Sequence, residues 1–146
     1  MPHIRQFDHV GITVADLDSV TAFFADLGLE VEGRTFLEGE FIDTVIGIPD
    51  SRTEIVMLRP PDGGAGVELA SFVRPDHEPG SPTAVANELG LRSILFRGRR
   101  PPGGRRRPGS ERILAGRRER SAREHLADGP RARPEGIVVS LTERID

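Results

Sequence analysis

Polar and apolar residues alternate along residues 7–14 (Phe-Asp-His-Val-Gly-Ile-Thr-Val) with the period of two that a half-buried strand requires. Val10, Ile12 and Val14 share one face; Phe7, His9, Gly11 and Thr13 share the other. The period then lengthens. Leu17, Val20, Phe24 and Leu27 recur at helical spacing, with Asp16 placed to cap the first turn and Gly28 to end the helix. Residues 29–36 predict a second strand. Glu38, Gly39 and Glu40 form a turn, and residues 41–48 fit a short helix and a strand equally well. Residues 53–58 are a strand, residues 60–64 (Pro-Pro-Asp-Gly-Gly) a turn, and residues 66–73 another strand with Glu68, Ala70 and Phe72 on one face. The order is strand, helix, then three strands.

Residues 74–90 are a connection rich in Pro, Gly and Asp, with a helical turn expected near 84–89. A new apolar strand begins at 91–96. The pattern then stops for 37 residues and resumes at 134 with Pro-Glu-Gly-Ile-Val-Val-Ser-Leu-Thr, a turn and strand much like residues 62–73.

Charge sharpens that interruption. Residues 97–133 hold thirteen arginines against four acids, whereas residues 1–96 hold six arginines against sixteen acids. The net charge of −3 therefore conceals an acidic, well-patterned segment followed by a basic block. Ile113, Leu114 and Leu126 are the only aliphatic residues larger than Ala in the block. Three such side chains, at roughly 1.5–3 kcal/mol each when buried, fall far short of an ordering cost near ~1–2 kcal/mol per residue. The block is thus expected to be the least ordered part of the chain, or at most to carry one exposed helix over 111–127 capped by Ser110.

Composition narrows the chemistry. One compact domain is expected at 146 residues. With no Cys there is no disulfide framework, thiolate zinc site or cysteine nucleophile. The first ten residues lack the basic end and apolar run of a signal peptide, and no apolar run approaches the ~20 residues of a bilayer span. A cytoplasmic protein with no membrane partner is the expectation.

Strand, helix and three strands, with His9 on the first strand and Glu68 on the last, resemble the βαβββ module of the vicinal oxygen chelate superfamily. That superfamily includes glyoxalase I, extradiol dioxygenases, methylmalonyl-CoA epimerase and bleomycin-resistance proteins. The resemblance rests on residues 7–18 (Phe-Asp-His-Val-Gly-Ile-Thr-Val-Ala-Asp-Leu-Asp), 23–30 (Phe-Phe-Ala-Asp-Leu-Gly-Leu-Glu), 66–69 (Gly-Val-Glu-Leu) and 134–139 (Pro-Glu-Gly-Ile-Val-Val). It implies an α+β fold of paired βαβββ modules around a cavity. The first module spans 4–73, a connection spans 74–90, and a partial second module spans 91–146, disrupted by the Arg-rich segment 97–133.

The resemblance also implies a site. His9 and Glu68 match the first-module metal ligands, and Glu68 is the candidate for moving a proton. The matching second-module places fall at Ser93 and Ser140. A neutral hydroxyl is a poor ligand beside imidazole or carboxylate, so a divalent metal is expected to bind weakly or not at all. Phe7, Phe72, Ser93 and Ser140 are candidate walls of a substrate pocket; His77 and Glu78, in a Pro/Gly loop, are expected to be ordinary exposed residues. The implied activity is metal-dependent lyase, isomerase or dioxygenase chemistry on a small molecule with vicinal oxygens. The alternative is a metal-free protein that sequesters a drug or metabolite. A homodimer is the expected assembly, since members of the superfamily commonly pair modules across chains.

Three readings of the Arg block stay open. It could bind nucleic acid electrostatically, but it lacks interleaved aromatic residues and any known module, which argues against that partner. It could be a solvated insertion. Or it could be a shifted reading frame. Written in CGN arginine codons, residues 98–102 (Gly-Arg-Arg-Pro-Pro) read one base later permit Val-Asp-Asp-Leu, which echoes residues 14–17 and is common after this family's second-module first strand. The loss of pattern, the Arg bias and the clean resumption at Pro134 favour compensating frameshifts over a purposeful insertion.

Overall fold

The computed structural model describes residues 3–81, 83–98, 111–114, 117–122 and 136–144. The chain divides into two compact units, Met1–Gly80 and Ser81–Asp146.

The first unit is a four-stranded sheet backed by a helix. Its elements are β1 (His9–Thr13), α1 (Leu17–Asp26), β2 (Glu30–Glu38), α2 (Glu40–Ile46), β3 (Arg52–Arg59) and β4 (Gly66–Arg74). The strand order is β1-β4-β3-β2; β1 runs parallel to β4 and the other pairs are antiparallel. Period-two alternation decides which face closes. Ile12, Val14, Val56, Leu58, Val67 and Leu69 are buried with Leu17, Val20 and Phe24 of α1. These apolar side chains are the core of the unit, and their removal from water is its main favourable term. The opposite face carries His9, Gly11, Thr13, Met57, Glu68, Ala70 and Phe72, all exposed or half-buried.

Helix α1 starts where the sequence says it should. Asp16 Oδ1 accepts the Ser19 backbone N–H at 3.0 Å, and the Ser19 hydroxyl donates to Oδ2 at 2.7 Å. The ambiguous stretch 41–48 resolves as α2, flanked by Gly39 and Gly47 at positive φ. None of its residues is buried, and Phe41 is 82% exposed. With no face committed to the core, its apolar spacing could not declare a period. The turn expected near 84–89 is no helix; isolated closures from Ala84 to Ser81 and from Glu88 to Val85 stand there.

The second unit holds β5 (Ser93–Arg97), β6 (Glu111–Leu114), β7 (Arg117–Ala122) and β8 (Val138–Arg144). Their order, β5-β8-β7-β6, repeats that of the first sheet, again with the first and last strands parallel. This corrects the expectation of a single helix over 111–127: the described residues 111–114 and 117–122 are paired strands. The reason lies in the backbone. These two stretches contain no Pro and no Gly, whereas the five prolines of residues 101–134 all fall outside them. Every residue in them can therefore donate and accept in a ladder, whatever its side chain. The proposed cap at Ser110 lies outside the described residues.

The register sharpens the comparison of the two sheets. His9 pairs with Gly66 and Gly11 with Glu68; Ser93 pairs with Val138 and Leu95 with Ser140. Ser93 thus occupies the place of His9 in its own sheet, and Ser140 the place of Glu68. From His9 to Glu68 is 59 residues, and from Ser93 to Ser140 is 47. The Arg-rich segment falls within the second, shorter interval.

Candidate functional site on the first sheet

Strand alternation and one parallel pairing bring His9 and Glu68 together. His9 opens β1, and Glu68 lies on neighbouring β4, one diagonal step away on the same open face. His9 Nε2 is 3.7 Å from Glu68 Oε2, with the side chains 36% and 25% exposed. Gly11, directly opposite Glu68, adds no side chain to crowd the carboxylate. Met57 flanks Glu68 on β3. Further along the face, Ile55 pairs with Ala70, and Phe72 pairs with the buried Thr53. The pair thus sits at one end of a half-buried apolar floor.

The other ring nitrogen of His9 is occupied. Nδ1 lies 2.6 Å from Asp8 Oδ2. Asp8 is itself gripped by Arg59, whose Nη1 donates to the Asp8 carbonyl at 3.0 Å and whose Nη2 reaches both carboxylate oxygens at 3.3 Å. These bonds, first from His9 and then from Arg59, hold the Asp8 carboxyl below its ordinary range. Arg59 Nε in turn donates to both oxygens of Glu32 at 2.9 Å, and the bonds to Asp8 and Glu32 push the guanidinium above its ordinary value. Glu32 is available because the β2–β3 register slips between Val31 and Gly33, releasing it from the ladder.

Arg59 ends β3, and β3 is not next to β1; the guanidinium must cross β4 to reach Asp8. It crosses at Gly66. A Cβ built there would sit 2.6 Å from the Leu58 carbonyl oxygen and 3.1 Å from Arg59 Cγ. Only glycine leaves the passage clear.

The remaining sequence candidates are dispersed. Phe7 precedes β1 and is 69% exposed. Phe72 shares the Glu68 face, four residues further along β4 and half-buried. Ser93 is exposed at the start of β5; Ser140 lies within β8. His77 and Glu78 are exposed loop residues, as expected. Sequence reasoning missed Asp8, Arg59 and Glu32 as partners of the site, and Gly66 as the gap that joins them.

His9 and Glu68 fit two neighbouring positions around one divalent ion, whose ligands at ~2.0–2.2 Å stand about 3 Å apart. Among the described residues no group of three or more His, Asp or Glu side chains could hold such an ion. Two protein donors alone leave the rest of a coordination shell to water or to a bound molecule.

Comparison with known proteins places this architecture. The family model of the Glyoxalase/Bleomycin resistance protein/Dioxygenase superfamily matches residues 6–127. The chain belongs to that superfamily. A crystal structure of a glyoxalase family protein from Bacillus cereus is similar over 99% of this chain and 97% of its own, with a TM-score of 0.75 and 27% identity. No curated protein matches the chain. The α+β fold expected from the sequence is thereby established. The family match also extends through much of the Arg-rich segment.

Proposed function

We propose that the protein acts on a small molecule carrying vicinal oxygens, bound on the open face of the first sheet, with His9 and Glu68 as its working pair. The observation that carries this reading is the 3.7 Å approach of an imidazole nitrogen and a carboxylate oxygen, both partly open to solvent, beside a half-buried apolar floor. Two basic atoms set so close invite a cation or a proton donor between them. A ligand's apolar body would lie over Ile55, Ala70 and Phe72 while its oxygens meet the pair. Glu68 would accept a proton from a carbon or hydroxyl of the substrate, and His9 would orient the neighbouring oxygen. A divalent metal held by His9 and Glu68 would supply Lewis acidity to adjacent substrate oxygens. With two protein donors its affinity is weak, and a chelating substrate would strengthen it by filling the shell. This accords with lyase, isomerase or dioxygenase chemistry.

A metal-free sequestering protein is the second reading. It is favoured by the register, which puts Ser93 and Ser140 where the first sheet has imidazole and carboxylate. One titration separates the two. Cobalt(II) added to metal-stripped protein should bind weakly in the wild type, more tightly with a vicinal dihydroxy or keto-hydroxy compound present, and not at all in His9→Ala or Glu68→Gln. Ligand binding that ignores cobalt, and survives both substitutions, would leave the sequestering reading standing alone.

A further inference from the structure

The working atom in that proposal is His9 Nε2, and what lies behind the ring decides what Nε2 can do. Neutral imidazole carries one proton, on either nitrogen. The hydrogen bond at Nδ1 runs to a carboxylate oxygen of Asp8, which accepts and has no proton to give when ionised. In the neutral ring the proton must therefore sit on Nδ1, which leaves a bare lone pair on Nε2, 3.7 Å from Glu68.

We infer that Asp8, pinned through Arg59 and Glu32 across the gap at Gly66, is a positioning residue that holds His9 as the Nδ1–H tautomer and aims its unprotonated Nε2 at Glu68. The inference rests on the proposed function only in taking Nε2 as the working atom. An adjacent residue on a strand ordinarily points to the opposite face, so a free Asp8 would have no reason to stay at the ring. Arg59 supplies that reason with three contacts to Asp8, from carbonyl to carboxylate. Glu32 fixes Arg59 in turn with two contacts at Nε. The restraint begins on the bulge of β2, passes along the end of β3, crosses β4 and ends on the imidazole at the start of β1. A carboxylate behind a ligating histidine fixes ring orientation and raises the basicity of the opposite nitrogen.

The test is the nitrogen-15 spectrum of the histidine rings in the full-length, metal-free chain, at a pH where they are neutral. Loss of a signal set in His9→Gln assigns His9. In the wild type His9 should be mainly Nδ1–H. Asp8→Ala should move it to Nε2–H, the form an unconstrained imidazole favours. Asp8→Asn should largely retain Nδ1–H, because the amide oxygen still accepts. Arg59→Gln should give a mixture, and cobalt affinity should fall about 10–100-fold in Asp8→Ala. A wild-type His9 found as Nε2–H, or an Asp8→Ala spectrum unchanged from wild type, overturns the inference. No metal or ligand enters the spectral measurement. An Nδ1–H ring in a protein that never binds cobalt supports this inference while counting against the metal-assisted reading.

Discussion

Asp43 shows how one carboxylate can organise a loop. It accepts from the Asp50 N–H at 2.8 Å, the Ser51 N–H at 3.0 Å and the Ser51 hydroxyl at 2.6 Å, tying the middle of α2 to the residues that lead into β3. The Ser51 hydroxyl is the largest cause of its lowered pKa. A carboxyl whose folded value is depressed adds stability above the unfolded value, and this is lost as pH falls through the lower folded one. Asp43→Ala should therefore lower the melting temperature at neutral pH, and the gap from wild type should close in strong acid. Thermal melts of both proteins across that range check the sign; a gap that widens on acidification would contradict it. At the same scale, His9 and Glu68 were legible because period-two alternation assigns each a face and the family pattern supplies their partnership. Asp8 and Arg59 were not legible. They are 51 residues apart, and their meeting depends on a missing side chain at Gly66, which sequence periodicity treats as neutral.

Helix α1 is the element on which the first sheet's closed face depends. Phe24 is fully buried, and its ring meets Phe23 edge-on at 5.2 Å between centroids. Phe24→Ala should cost about 3–5 kcal/mol, the range for truncating a core aromatic residue. Urea denaturation would show this as a lower midpoint with little change in slope. Elements with a committed apolar face, such as β1, α1 and β4, could be read from the sequence to within a residue or two. Helix α2 could not, because it commits no face to the core. Strands β6 and β7 could not for a different reason: β7 takes its register from a backbone ladder on β8 and β6 from one on β7, and apart from Ile113 and Leu114 their polar, arginine-rich sequence leaves no apolar alternation to mark it. The absence of Pro and Gly from those two short stretches was the one available signal.

For the whole molecule, two sheets of identical strand order make the chain an internal repeat, and the repeat is unequal in chemistry. The first sheet bears the imidazole and carboxylate; the second bears hydroxyls in the same register places. Large apolar side chains also remain in water, among them Phe41, Val45, Phe7 and Leu89. We expect a second copy to cover part of this surface. Light scattering at micromolar concentration should then return a dimer mass, and a monomer mass would count against the expectation.

The position of β4 has a further consequence, for the order in which the chain acquires its shape. Strands β2 and β3 follow each other closely and can zip together locally, whereas among the described residues β1 pairs only with β4, which ends at Arg74. During synthesis from the amino terminus, β1 must wait as an unpaired ribbon until β4 emerges. When β4 docks, it buries Val67 and Leu69, gives β1 its ladder, and brings Glu68 to His9 in one event. Arg59 can close over Gly66 only then. A nascent chain halted before residue 66 would carry the histidine without its counterpart, so the pairing of His9 with Glu68 arises in the step that completes the first unit.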